Sequence, residues 1–116
     1  MIYIIGAGYM AREYAQVLKA LDEKFLVIGR GEQSVEQLKA ELDLEAFSGG
    51  LSKFIESKGQ VPSHAIVCTP VDTLASITLE LLAFGVTKIL IEKPGALSIS
   101  DLVNIKKISE AKDANV

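Results

Sequence analysis

The sequence predicts a doubly wound α/β domain, with one parallel sheet at the centre of a three-layer αβα sandwich. Three observations carry this. Short runs rich in β-branched and other apolar residues recur along the chain, at Ile2–Ile5, Phe25–Ile28, Ala65–Cys68 and Lys88–Ile91. Stretches with apolar residues at helical spacing separate these runs. The connections between them are short, which is the pattern that right-handed βαβ units produce. The runs are apolar nearly throughout rather than alternating, as parallel strands covered on both faces must be.

In order, Ile2–Ile5 is the first strand and Gly6-Ala7-Gly8 its exit. Met10, Tyr14, Val17, Leu18 and Leu21 then fall on one face of a helix, with Arg12, Glu13, Gln16 and Lys19 opposite. The second strand, Phe25–Ile28, ends in Gly29-Arg30-Gly31. Ser34 followed by Gln37 has the spacing of a capping box, predicting a helix that turns Val35, Leu38 and Leu42 inward. A weak strand around Ala46-Phe47-Ser48 leads to a short helix carrying Leu51, Phe54 and Ile55, stopped at Gly59. Thr69-Pro70 closes the next strand. The stretch from Asp72 to Phe84 reads as a helix with Leu74, Ile77 and Leu81 inward and Gly85 just past its end. The strand at Lys88–Ile91 exits through Glu92-Lys93-Pro94-Gly95, and a last helix opens near Ser98 or Ser100 with Leu102, Ile105 and Ile108 on its stripe.

Composition bounds the partners. At 116 residues, 49% of them hydrophobic, the chain makes one domain, residues 1–116, with ample material for a core. A net charge of −3 gives no electrostatic case for nucleic acid or an anionic membrane surface. No apolar run reaches the roughly 18 residues of a membrane span, and the N-terminus lacks the basic flank of a signal peptide. A cytoplasmic protein is expected. Cys68 is the only cysteine, which excludes an intrachain disulfide and a cysteine zinc cluster, and a small buried side chain is its plain reading. Strand and helix alternate up to Ala114-Asn115-Val116, where another strand is due, so the chain is expected to be a fragment with an uncovered sheet edge that favours homo-oligomers.

The glycines of the first exit carry the functional reading. Gly6 can take the turn out of the strand, and Gly8 lacks the Cβ that would obstruct a pyrophosphate approaching the backbone. Ala11 stands at the third position and still permits close helix–strand packing. Such a string by itself is also compatible with a tight turn. After a strand, before an amphipathic helix and inside a βαβ pattern, it predicts dinucleotide binding in a Rossmann fold. A site for NAD usually has a carboxylate at the end of the second strand, where this chain has Gly29-Arg30-Gly31. A guanidinium there pairs a 2′-phosphate, so NADP is expected over NAD, with Arg30 as a solvated loop residue and Glu32 as a ribose partner the alternatives.

In an open α/β sheet, ligands lie outside the carboxyl ends of the strands, which makes Cys68-Thr69-Pro70 and Glu92-Lys93-Pro94 the other exits that matter. Both prolines also end strands well without any function. His64, the only histidine, precedes its strand at the wrong end and is expected on the surface.

A glycine fingerprint at the extreme N-terminus, a C-T-P exit and an E-K-P exit further on resemble the Gfo/Idh/MocA oxidoreductases, which include glucose–fructose oxidoreductase, inositol dehydrogenase and biliverdin reductase. The resemblance covers essentially the whole chain and implies its nucleotide-binding half only. It implies that Gly6, Ala7, Gly8, Tyr9 and Met10 line the pyrophosphate, that Gly29 and Arg30 face the adenosine ribose, and that Cys68, Thr69 and Pro70 lie near the nicotinamide ribose and ring. Glu92, Lys93 and Pro94 would form the junction between cofactor and substrate, with Lys93 the catalytic candidate and Glu92 anchoring either Lys93 or a cofactor hydroxyl. The family completes its site with a second domain that binds a small-molecule substrate, and no counterpart of that domain is in this sequence. Two functions follow as expectations: the cofactor domain of an oxidoreductase acting on a sugar, polyol or related small alcohol or carbonyl compound, or a non-catalytic cofactor sensor.

Overall fold

The computed structural model describes the backbone of all 116 residues and every side chain except that of Lys58. Five strands, β1 (Ile2–Ile5), β2 (Phe25–Ile28), β3 (Ala46–Phe47), β4 (His64–Val67) and β5 (Ile89–Ile91), form one sheet in the order β3-β2-β1-β4-β5. Every pairing is parallel, and the register aligns Ile2 with Phe25 and His64, and Ile5 with Ile28 and Val67. All strand exits therefore open at one end of the sheet, and the strand order reverses between β1 and β4.

The helices are α1 (Tyr9–Ala20), α2 (Glu32–Leu42), α3 (Leu51–Lys58), α4 (Leu74–Phe84) and α5 (Ile99–Ala111). They divide between the two faces as the strand side chains alternate. Tyr3, Ile5, Ile28, Ala65, Val67 and Ile89 pack against Leu51 and Phe54 of α3 and Leu74, Leu81 and Leu82 of α4. Phe54 meets Tyr3 and Phe47 edge-on, with ring centroids 5.2 Å apart in both pairs. On the other face, Ile4, Val27 and Ile66 pack against Ala11, Ala15 and Leu18 of α1 and Leu38 of α2. Leu90 of β5, paired with Ile66, points to that second face and is 51% exposed. Among the described residues, no helix is long and apolar enough to cross a membrane, and no cluster of side chains is suited to a metal ion.

The element order agrees with the sequence reading, and the details differ in instructive ways. The inward stripe of α1 is Ala11, Ala15 and Leu18, with Tyr14 half-buried; Met10, Val17 and Leu21 face outward at 38%, 55% and 65% exposure. Small residues win the inner face because the helix starts directly above β1 and must lie close to it. Ser34 does not cap α2. That helix opens at Glu32 from Gly31, and the Ser34 hydroxyl donates back to the Gly31 carbonyl at 3.1 Å. The helix after β4 begins with a 3₁₀ turn, Val71–Thr73, and becomes α-helical at Leu74. Gly59 and Gly85 stop α3 and α4 in the left-handed conformation. Ser98 caps α5, accepting from the Asp101 amide. Asn115 bridges Lys88 in parallel, bringing the chain back beside β5.

Candidate functional site

The exits of β1, β2, β3 and β4 converge on a cleft of about 860 Å³ at the carboxyl end of the sheet. Its floor is the turn Gly6-Ala7-Gly8 with Tyr9 and Met10 at the start of α1, and its walls include Arg30, Gly49-Gly50, Thr69-Pro70 and Glu80. A second hollow of about 840 Å³ lies at the opposite end, along Met1, Leu21, His64 and Lys88, away from every strand exit. His64 is exposed there.

Gly6 and Gly8 are glycine for different reasons. Gly6 has φ +127°, and a Cβ there would lie 2.6 Å from the carbonyl oxygen of Cys68, so the crossing of β1 past β4 leaves no room for a side chain. Gly8 has an ordinary φ of −91°, and a Cβ on it would meet nothing within 4 Å. Nothing among the described residues requires glycine at that position. The space that a Cβ would enter is the cleft, directly over the first turn of α1, whose leading amides have no intrahelical acceptor and carry the positive end of the helix dipole.

Gly29 is buried beneath this turn. A side chain there would collide with Val35 Cγ2 at 2.5 Å and with Ala7 Cβ at 2.7 Å. Its bareness lets the β1 turn settle onto β2, and it does not itself line the cleft. The next residue, Arg30, does line it, with its side chain exposed and no carboxylate in ion-pair range among the described residues.

At the β4 exit, Thr69 Oγ1 is buried without a hydrogen-bond partner among the described residues. An orphaned hydroxyl costs about 1–3 kcal/mol, and a turn of the Thr69 side chain would bring this one to the cleft that the residue lines. Cys68 lies just inside it, its thiol directed to the Ile5 carbonyl at 3.4 Å. Burial, then the nearby Glu92 carboxylate, push that thiol up to about 12, which leaves it a neutral packing group at physiological pH.

Glu92, Lys93 and Pro94 follow β5, one strand further out, and are not part of the cleft lining. The Glu92 carboxylate accepts a hydrogen bond from the Tyr14 hydroxyl of α1. That bond first, then burial and the carboxylate charge, push the Tyr14 phenol up to about 12. Lys93 and Pro94 are exposed and joined by a cis peptide.

The structure thus gathers Gly6, Ala7, Gly8, Tyr9, Met10, Arg30, Cys68, Thr69 and Pro70 around one cleft, with Gly29 beneath it and Glu92-Lys93-Pro94 beside it. Sequence reasoning missed the wall formed by Gly49, Gly50, Ser52 and Glu80, where the Ser52 hydroxyl donates to Glu80 Oε1 at 2.5 Å. The signal was present: Gly49-Gly50 repeats the order of strand, glycine and helix seen at the first exit. The role of Tyr14 left no such mark, because its partner lies 78 residues away.

An NAD-type cofactor fits these residues. The unobstructed space above Gly8 suits a diphosphate, and Thr69 and Pro70 line the same cleft.

Known proteins share this fold. The model of the Gfo/Idh/MocA oxidoreductase family, NAD-binding Rossmann fold, matches residues 1–116. No curated protein matches the chain significantly in sequence. Among solved structures, UDP-N-acetylglucosamine 3-dehydrogenase from Acidithiobacillus ferrooxidans is 21% identical with a TM-score of 0.80, over 97% of this chain and 34% of that one. The WlbA dehydrogenase of Chromobacterium violaceum, solved with NADH and UDP-GlcNAcA, is 15% identical with a TM-score of 0.84, over 97% of this chain and 32% of that one. Biliverdin reductase of Synechocystis sp. PCC 6803, solved with biliverdin and NADP+, is 16% identical with a TM-score of 0.81, over 97% of this chain and 35% of that one. At such identities the likeness is one of fold, and the chain spans about a third of the length of each of these structures.

Proposed function

The chain belongs to the Gfo/Idh/MocA oxidoreductase family as its NAD-binding domain, and from this we propose that it serves a hydride transfer between nicotinamide and an alcohol or carbonyl carbon of a sugar, polyol or related small molecule. The observation that carries the cofactor reading is Gly8. Its missing Cβ matters only if something other than protein fills the space above it.

Each exit then has a part. The turn from Gly6 to Met10 holds the pyrophosphate on the α1 amides. Arg30, exposed and without a carboxylate partner among the described residues, pairs a 2′-phosphate and favours NADP over NAD. Thr69 donates its orphaned hydroxyl near the nicotinamide ribose, and Pro70 gives the ring an apolar wall. Bound nicotinamide supplies the hydride chemistry; this chain orients it and manages charge beside it. Lys93 places an ammonium at the junction with the substrate, where a developing alkoxide is stabilised by a fixed cation. Two of the similar structures are named as dehydrogenases of, or bound to, UDP-linked amino sugars, which supports a sugar-type substrate. Leu90, Leu97, Ile99 and Val103, each at least half exposed, supply apolar surface for self-association or for a second domain.

One observation favours a second reading, a cofactor sensor without catalysis: Lys93 stands outside the cleft lining. Titration of the chain with NADPH and NADH, followed by nicotinamide fluorescence, tests what both readings share. Binding of NADPH in preference to NADH is expected, and a folded chain that binds neither overturns the cofactor assignment.

A further inference from the structure

Glu92 and Lys93 are neighbours in sequence with opposite charges, yet they form no ion pair. Among the described residues, Lys93 has no carboxylate within 4.0 Å, and the Glu92 carboxylate is engaged by the Tyr14 hydroxyl instead. The backbone beneath is fixed, with the Glu92 amide donating to Val67 and the Gly95 amide donating to the Glu92 carbonyl, both at 2.9 Å. Above that backbone the Glu92 side chain turns to α1, where the Tyr14 hydroxyl meets it.

We infer that Tyr14 is a positioning residue: its hydroxyl holds the Glu92 carboxylate against α1 and so keeps the Lys93 ammonium free for an incoming group. The inference rests on the reading of Lys93 as the lysine of the reaction end. A phenol donating to a carboxylate makes a charge-assisted bond, stronger than a neutral one. An exposed pair between Glu92 and Lys93 would be weak, but it would sit on the one ammonium that must stay available. Without the phenol, a half-buried carboxylate has to find another donor, and the adjacent ammonium is the cation next to it in the chain. The same bond ties the helix that opens at the glycine turn to the exit of β5, so the two ends of the cofactor track are set by one contact.

Competitive trace acetylation with acetic anhydride, read by mass spectrometry, tests this on the chain as it stands, with exposed Lys107 as the internal standard. In Tyr14→Phe the relative reactivity of Lys93 should fall by about threefold, the scale of an exposed ion pair. In the double variant Tyr14→Phe/Glu92→Gln it should return to the wild-type level, because the amide cannot pair with the ammonium. Glu92→Gln alone should leave Lys93 unchanged, since the carboxylate is already held away; this arm also serves if Tyr14→Phe does not fold. Unchanged reactivity in a folded Tyr14→Phe, a double variant as slow as the single, or a rise in Glu92→Gln each overturn the inference. Nicotinamide cofactor titration of the same samples is a separate readout, so a failure of the cofactor reading and a failure of the Tyr14 clamp are distinguishable.

Discussion

A Cβ placed on Gly6 would lie 2.6 Å from the carbonyl oxygen of Cys68, whereas one placed on Gly8 would touch nothing within 4 Å. The first relationship holds two neighbouring strand exits together at the point where the strand order reverses. The second leaves open space at the cleft over the first turn of α1. Folding and binding are therefore separable at two residues of one motif.

Gly6→Ala should destabilise the chain by about 3 kcal/mol or more, combining a backbone conformation unfavourable to L-residues with a backbone collision. Gly8→Ala should leave the thermal midpoint within about 2 °C of wild type, because alanine tolerates an extended φ. Its affinity for NADPH should nonetheless drop at least about tenfold, the cost of one obstructed phosphate contact. Equal loss of stability in both variants would contradict the distinction.

Thr69→Val should move stability and affinity in opposite directions. Removing an unpartnered buried hydroxyl should raise the midpoint of the free chain by a few degrees, from the roughly 1–3 kcal/mol that such a group costs. The same change should weaken NADPH binding several-fold, on the scale of one hydrogen bond. Calorimetry of the free chain and a fluorescence titration check both signs.

For Arg30→Ala, NADPH affinity is expected to fall about tenfold or more, while NADH affinity stays within about twofold, as loss of one charge-assisted pair requires. An unchanged ratio between the two cofactors would remove Arg30 from the ribose site.

The Tyr14 phenol has an ordinary value of 10.0 and is raised to about 12 in the fold by its bond to Glu92. A raised folded value favours the protonated form. The contribution is complete below the unfolded value and is lost as pH climbs from about 10 to about 12. Wild type should therefore lose stability across that alkaline window more steeply than Tyr14→Phe. In Glu92→Gln, ultraviolet titration should find one tyrosine moved back toward 10.0.

The Cys68 thiol, pushed up to about 12 chiefly by burial, should react with iodoacetamide at pH 8 only at a rate set by opening of the fold. Labelling as fast as a free thiol would mean that the β4 exit is not packed as described.

Much of this was legible in the residues. Ile2–Ile5 ends at Gly6 in the structure as in the pattern, because β-branched and aromatic residues favour a strand and glycine can take the φ of +127° that ends it. The turn Gly6-Ala7-Gly8, Arg30 and Thr69-Pro70 stand at strand exits, as the pattern places them, and line one cleft. The inner stripe of α1 was misjudged because hydropathy ranks Met10, Val17 and Leu21 above Ala11 and Ala15, whereas close approach to the sheet selects for small size. Ser34 was misread as a cap because the same hydroxyl serves equally well one turn into a helix, bonding back to Gly31.

What the sequence by itself determined is the order of elements and the chemistry placed at each strand exit, since periodicity, glycine position and residue type are local properties. The tertiary structure alone decided which exits share a cleft, that Gly49-Gly50 and Glu80 wall it, and that Glu92 turns to Tyr14 rather than to Lys93. Those outcomes depend on strand order and on contacts across tens of residues. Chain closure over such distances is set by the packing of whole helices on the sheet, and no local pattern records it.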